Sequence, residues 1–235
     1  MSASIALALA DTAATRPVPS VFEGIANTVA ILVLLLEFGM LRAALLRAQV
    51  RLYAAQSLAV SVLAAVVAAG RGIPELYALA GLSLILKVVV VPLVILALLR
   101  GASEEIAGSG VLGVASEVLI SIAVTGFGFF AIGLLHIPSN VLPTAALSLS
   151  VAVVLVAFVL MIVRRDVVSQ AIGFFSLENG VSLASLVVAA GLPLILEVAF
   201  LFDLLVAVVV FGVLMRTHHR RSATLSTASL NRLRG

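Results

Sequence analysis

The run 75–99, ELYALAGLSLILKVVVVPLVILALL, decides the fold. It holds one carboxylate at its first position and one lysine at its centre, and almost everything else is aliphatic on every helical face. A helix needs about 20 such residues to cross about 30 Å of hydrocarbon, whereas a barrel strand would alternate polar and apolar positions. Six further runs share this character, giving expected spans at 21–41, 50–70, 111–134, 141–163, 167–190 and 194–215. Over all 235 residues, 63% are hydrophobic and 11% charged, with a mean hydropathy of +1.31. A water-soluble domain cannot hide that much apolar surface. The expected fold is therefore an all-α integral membrane protein of about seven transmembrane helices, each satisfying its own backbone polar groups.

Four segments follow: an N-terminal stretch 1–20, helices one to four over 21–134, helices five to seven over 141–215, and a basic tail 216–235. The first ten residues lack a basic leader region, so 1–20 reads as a loosely ordered segment and not as a cleaved signal peptide. Pro74, Pro138, Pro143 and Pro193 fall near expected helix ends, where a missing backbone donor does least harm. Pro92 falls inside the third span, where it should kink the helix and deprive the Val88 carbonyl of its usual partner.

The pI near 10.2 suggests nucleic acid at first sight, but the arginines sit between spans and in the tail, where they act as topology signals. With seven spans, Arg42, Arg47, Arg51, Arg100, Arg164, Arg165, Arg216, Arg220, Arg221, Arg232 and Arg234 share one side, against Arg16 and Arg71 on the other. That excess places the C-terminus in the cytoplasm and the N-terminus outside. There is no cysteine, and the histidines are His136, His218 and His219. No iron–sulfur, haem or nickel site is expected in this chain alone.

Ionisable residues at mid-membrane cost about 2.5–3.5 kcal/mol each on insertion scales, so each demands a partner or a purpose. At about 1.5 Å per residue, Glu178 lies roughly 17 Å into the sixth span, Asp203 roughly 14 Å into the seventh and Lys87 roughly 18 Å into the third. Three titratable groups at one depth suggest a polar layer parallel to the membrane, able to pass protons through side chains and trapped water. Glu117, nearer one surface on the fourth span, is a further candidate. Glu37 and Glu197 fall nearer a surface, where access to water is expected. Gln170, Glu178, Ser182 and Ser185 form a polar stripe on the sixth span, with Asn179 beside it. Glu117, Ser121 and Thr125 form a second stripe, and Tyr53, Ser57 and Ser61 a third. The plain competing reading makes Lys87 and one carboxylate a buried ion pair and leaves the hydroxyls to helix packing. Gly126, Gly128 and Gly133 are expected to permit close helix approach.

The stretch 164–185, RRDVVSQAIGFFSLENGVSLAS, followed by a span with Asp203 and the tail RTHHRRSATLSTASLNRLRG, resembles the hydrogenase-4 component E family. LKVVVVPL around Lys87 and YAAQSL at 53–58 fit the same likeness. The last three spans are also similar to the K-type subunit of complex I, in which paired arginines precede one membrane acid and another follows in the next helix. Asp203 stands where the second acid is expected; Phe175 occupies the first acid's place, with Glu178 three residues later.

The resemblance implies a non-catalytic membrane subunit of a [NiFe] hydrogenase related to complex I, of the hydrogenase-4 or formate hydrogenlyase type. Its place would be in the inner membrane of a bacterial or archaeal cell. Its neighbours would be antiporter-like and quinone-subunit-like membrane proteins and peripheral hydrogenase subunits carrying the nickel–iron and iron–sulfur centres. That likeness bears on Asp203 and Glu178; with the residues placed by depth and helical face, the expected proton pathway comprises Glu178, Asp203, Lys87 and Glu117, supported by Glu37, Glu197, Gln170, Asn179 and Ser182. Two alternatives remain: a K- or C-type subunit of a cation/proton antiporter, and a structural spacer.

Overall fold

The computed structural model describes residues 21–72, 74–100, 106–107, 112–135, 144–188, 209 and 212–213. The N-terminal segment, the tail, most of the expected seventh span, Glu197, Asp203 and His136 lie outside the described residues.

Every extended element is helical: α1 Val21–Arg42, α2 Leu46–Arg71, α3 Pro74–Ser83, a π-helical stretch Leu84–Val90, α4 Val91–Leu99, α5 Val114–Leu135, α6 Thr144–Val163 and α7 Val167–Val188. The third to fifth of these run without a break, so the described residues form six helices long and apolar enough to cross a membrane. Their bounds follow the hydropathy, with α2 starting four residues before the expected 50. Local chemistry fixes the ends. Gly72 takes a left-handed φ of 65° and donates its N–H to the Ala68 carbonyl, closing α2, and Pro74 opens α3, where a proline's missing donor is harmless.

The helix changes register next to Pro92. The preceding residues adopt the wider π register, in which the Val91 N–H reaches back five residues to the Leu86 carbonyl. Pro92, the second residue of α4, follows directly on this change of register. Lys87 rides on that π stretch.

The bundle is centred on α2, α6 and α7. About two thirds of the α6 span is buried (67%) against 17% of the α5 span, so α5 is peripheral and packs mainly on α6. The α6–α7 approach is set by glycines on α7. A Cβ at Gly173 would stand 2.7 Å from Met161 Cγ, and one at Gly180 would stand 2.8 Å from Val154 Cγ2 and 3.1 Å from the Val154 backbone nitrogen. Of the three glycines expected to serve close packing on the fourth span, only Gly128 meets a neighbouring backbone, where an added Cβ would stand 3.3 Å from the Ala152 nitrogen; Gly126 and Gly133 face open space.

The arginine-bearing connections gather at one end. The Arg164 guanidinium donates to the Leu41 carbonyl at the end of α1, and the segment after Arg100 pairs with the α1–α2 connection through Ala107 N–H to Ala44 O at 2.8 Å. At the same end Asp166 caps α7, its Oδ1 accepting the Ser169 N–H at 2.7 Å.

Candidate functional site

Lys87 and Glu178 meet. The Lys87 Nζ stands 3.0 Å from Glu178 Oε1, with side-chain exposures of 2% and 12%, and donates to Ser182 Oγ at 3.1 Å. The π stretch and α7 therefore place the two charges at one level, as their depths along the sequence imply. Beside them lies a cavity of about 50 Å³ whose polar wall is Ser61, Ser83, Lys87, Glu178, Ser182 and Ser185. That is large enough to admit water on the side where these polar groups lie. Ser61 and Ser83 hydroxyls are 3.2 Å apart across it. Val60, Ala64, Leu76, Leu79, Ala80 and Leu186 form the apolar remainder of the wall, and the α3 residues among them carry the cavity from the ion pair toward the start of α3.

A second polar cluster occupies the α1–α2–α7 interface. Gln56 donates to Glu37 Oε2 at 2.8 Å and to the Val33 carbonyl at 3.2 Å. Ser176 Oγ contacts Glu37 Oε2 and lies 2.8 Å from Gln56 Oε1. Asn179 donates to Gln56 Oε1 at 3.0 Å and to Ser57 Oγ at 2.9 Å. All five side chains are fully buried. Glu37 is thus not the near-surface carboxylate its sequence position suggested: α2 and α7 cover it. The Tyr53 ring packs against Phe175 at 6.0 Å between centroids, closing one side of this region.

A third contact, Ser169 Oγ to Gln49 Oε1 at 2.7 Å, lies seven residues nearer the arginine end on both helices. Gln49 with Ser169 and Gln56 with Ser176 keep the same sequence offset, so α2 and α7 run parallel. Their facing polar residues form a seam along the helix axes. The seam was not apparent from one-dimensional stripes. On α7, Glu178, Ser182 and Ser185 face the cavity, while Ser169, Ser176 and Asn179 face α1 and α2. Gln170 departs from the expected stripe and donates instead to the Arg164 carbonyl at 3.0 Å.

Glu117 is buried on α5, and among the described residues no hydrogen bond or ion pair joins it to Lys87 or Glu178. The hydroxyls following it serve their own helix: Ser121 donates to the Glu117 carbonyl and Thr125 to the Ser121 carbonyl, both at 2.8 Å. Among the described residues no group of three or more His, Asp or Glu side chains is placed to hold a metal ion.

The chain is 25% identical to hydrogenase-4 component E of Escherichia coli K12 over 183 residues, 78% of this chain and 85% of that protein. The relationship is a distant one. The proteins of that name from Escherichia coli O157:H7 and Shigella flexneri match at the same identity and extent. A shorter and closer match, 48% over 63 residues, is to an uncharacterised protein of Mycobacterium tuberculosis, covering 27% of this chain and 29% of that protein. No family model and no solved structure matches.

Proposed function

We propose that this chain is a membrane-arm subunit of a complex-I-related [NiFe] hydrogenase, of the hydrogenase-4 or formate hydrogenlyase type, and that it contributes to proton translocation driven by redox chemistry in its partners. The observation that carries the reading is the buried Lys87–Glu178 pair beside a small pocket that the two charges and four serines help to line. An ionisable pair inside the membrane is a functional-site candidate by default, and a proton gained or lost by one partner changes the field at the other. The seam along α2 and α7 extends polar contacts from this level toward the arginine end, which the charge asymmetry assigns to the cytoplasm. Asp203 belongs to the proposed path by resemblance to the K-type subunit, with Glu197 as a supporting carboxyl and Glu117 as a further buried one.

The nickel–iron and iron–sulfur centres would reside in peripheral partners, and the membrane neighbours would be antiporter-like and quinone-subunit-like proteins. Two experiments test this. Affinity purification from the native membrane should recover a nickel-binding large subunit; recovery of antiporter subunits alone would favour the antiporter alternative. Glu178→Gln should leave the assembly intact and impair proton translocation, and unaltered translocation in that variant would remove Glu178 from the path.

A further inference from the structure

The hydrogens around Glu37 can be counted. Gln56 Nε2 has two, one directed to the Val33 carbonyl and one to Glu37 Oε2. Because a carbonyl only accepts, Val33 fixes which end of the Gln56 amide faces it, so Oε1 must face Ser176 and Asn179. The two Asn179 Nδ2 hydrogens go to Gln56 Oε1 and Ser57 Oγ. This leaves the Ser176 hydroxyl between two oxygens, Glu37 Oε2 and Gln56 Oε1, with one hydrogen for two contacts. With Glu37 ionised, one of those contacts would press two oxygens together with no hydrogen between them. A proton on Oε2 completes the set: Glu37 O–H donates to Ser176 Oγ, and Ser176 donates to Gln56 Oε1.

Charge leads to the same state. An isolated carboxylate without water or a cation is too costly to bury. Glu37 is fully buried, and no ion pair among the described residues reaches it. The α6 helix packed beside it carries no ionisable side chain, Arg42, Arg47 and Arg51 are exposed, and the Lys87 ammonium pairs with Glu178.

We infer that Glu37 is a proton-binding site of this chain, a neutral carboxylic acid that holds its proton against the Ser176 hydroxyl. Release of that proton turns the Ser176 hydrogen from Gln56 Oε1 to Glu37 Oε2, so occupancy of the site is felt by α2 and α7 together, two residues from Glu178. The site deepens the proton-path reading, yet its hydrogen count stands without any partner subunit.

Infrared spectroscopy on the full chain in lipid tests it. The expected result is a carbonyl band of a protonated carboxylic acid at the high-frequency end of its range, since Oε1 accepts no hydrogen bond. The band should vanish in Glu37→Gln and shift in Ser176→Ala, which removes the acceptor of the acidic hydrogen. Spectra of Glu37→Gln and the unsubstituted chain that superimpose in this region would overturn the inference. Should Glu37→Gln fail to fold, a band unmoved by Ser176→Ala overturns it equally. Loss of the hydrogenase assignment with the Glu37 band intact would leave this site standing, which separates the two conclusions.

Discussion

Replacing Lys87 with methionine removes the ammonium while keeping most of the side chain's volume, and its cost can be worked from the geometry. Two unit charges 3.0 Å apart attract by about 5 kcal/mol at an effective dielectric of about 20, much of which offsets the desolvation of both groups. Removing one partner leaves Glu178 beside apolar α3 residues without its cation, and such a break costs about 3–5 kcal/mol. Removing both charges, in Lys87→Met with Glu178→Gln, should recover most of that loss. The assay is a double-mutant cycle on the purified protein in lipid, with unfolding followed by thermal or denaturant titration. The expected coupling is roughly 2–4 kcal/mol, outside the additivity seen for independent sites. Additive single and double substitutions would refute the reasoning, because they would mean that the two charges do not meet in the folded membrane protein.

Other substitutions probe the scaffold. Gly180→Ala introduces a Cβ 3.1 Å from the Val154 backbone nitrogen and should destabilise the protein by about 1–3 kcal/mol, whereas Gly133→Ala, facing open space, should be neutral; comparing their melting temperatures checks the pair. Asp166→Ala removes the cap on the Ser169 N–H and should cost about 0.5–2 kcal/mol, measurable by denaturant titration. Gln56→Leu strands Glu37, Ser176 and Asn179 together and should cost about 3 kcal/mol or more, most of it restored in a variant that also replaces Glu37 and Asn179 with apolar residues. Ser121→Ala removes only a bond to the helix's own carbonyl and should change stability by less than about 0.5 kcal/mol.

The spans were legible because a bilayer imposes a length on apolar runs, and the meeting of Lys87 with Glu178 was legible because depth follows from residue count. Faces were not. In a membrane the lipid is as apolar as the bundle interior, so hydropathy cannot say whether Ser121 points to a crevice or bonds its own turn, nor that Gly128 meets α6 while Gly126 does not. The Glu37 cluster was hidden for a related reason. Gln56 and Ser176 are separated by 120 residues, and only the parallel register of α2 and α7 brings them together. Depth alone put Glu37 near water, because it takes no account of which helices stand in front. The π stretch was invisible because it is a choice of hydrogen-bond partner, made where Pro92 withholds a donor.

That π stretch also bears on how the third span fits its bilayer. Pro74–Leu99 counts 26 residues, which as uninterrupted α-helix would extend about 39 Å against a hydrocarbon thickness of about 30 Å. An ordinary helix relieves such hydrophobic mismatch by tilting or by stretching the surrounding lipid. Wider turns use more residues for each circuit, so Leu84–Val90 consumes sequence while gaining less height. Part of the surplus length is absorbed at the level of Lys87, which leaves less mismatch for tilt or lipid adjustment than the residue count implies.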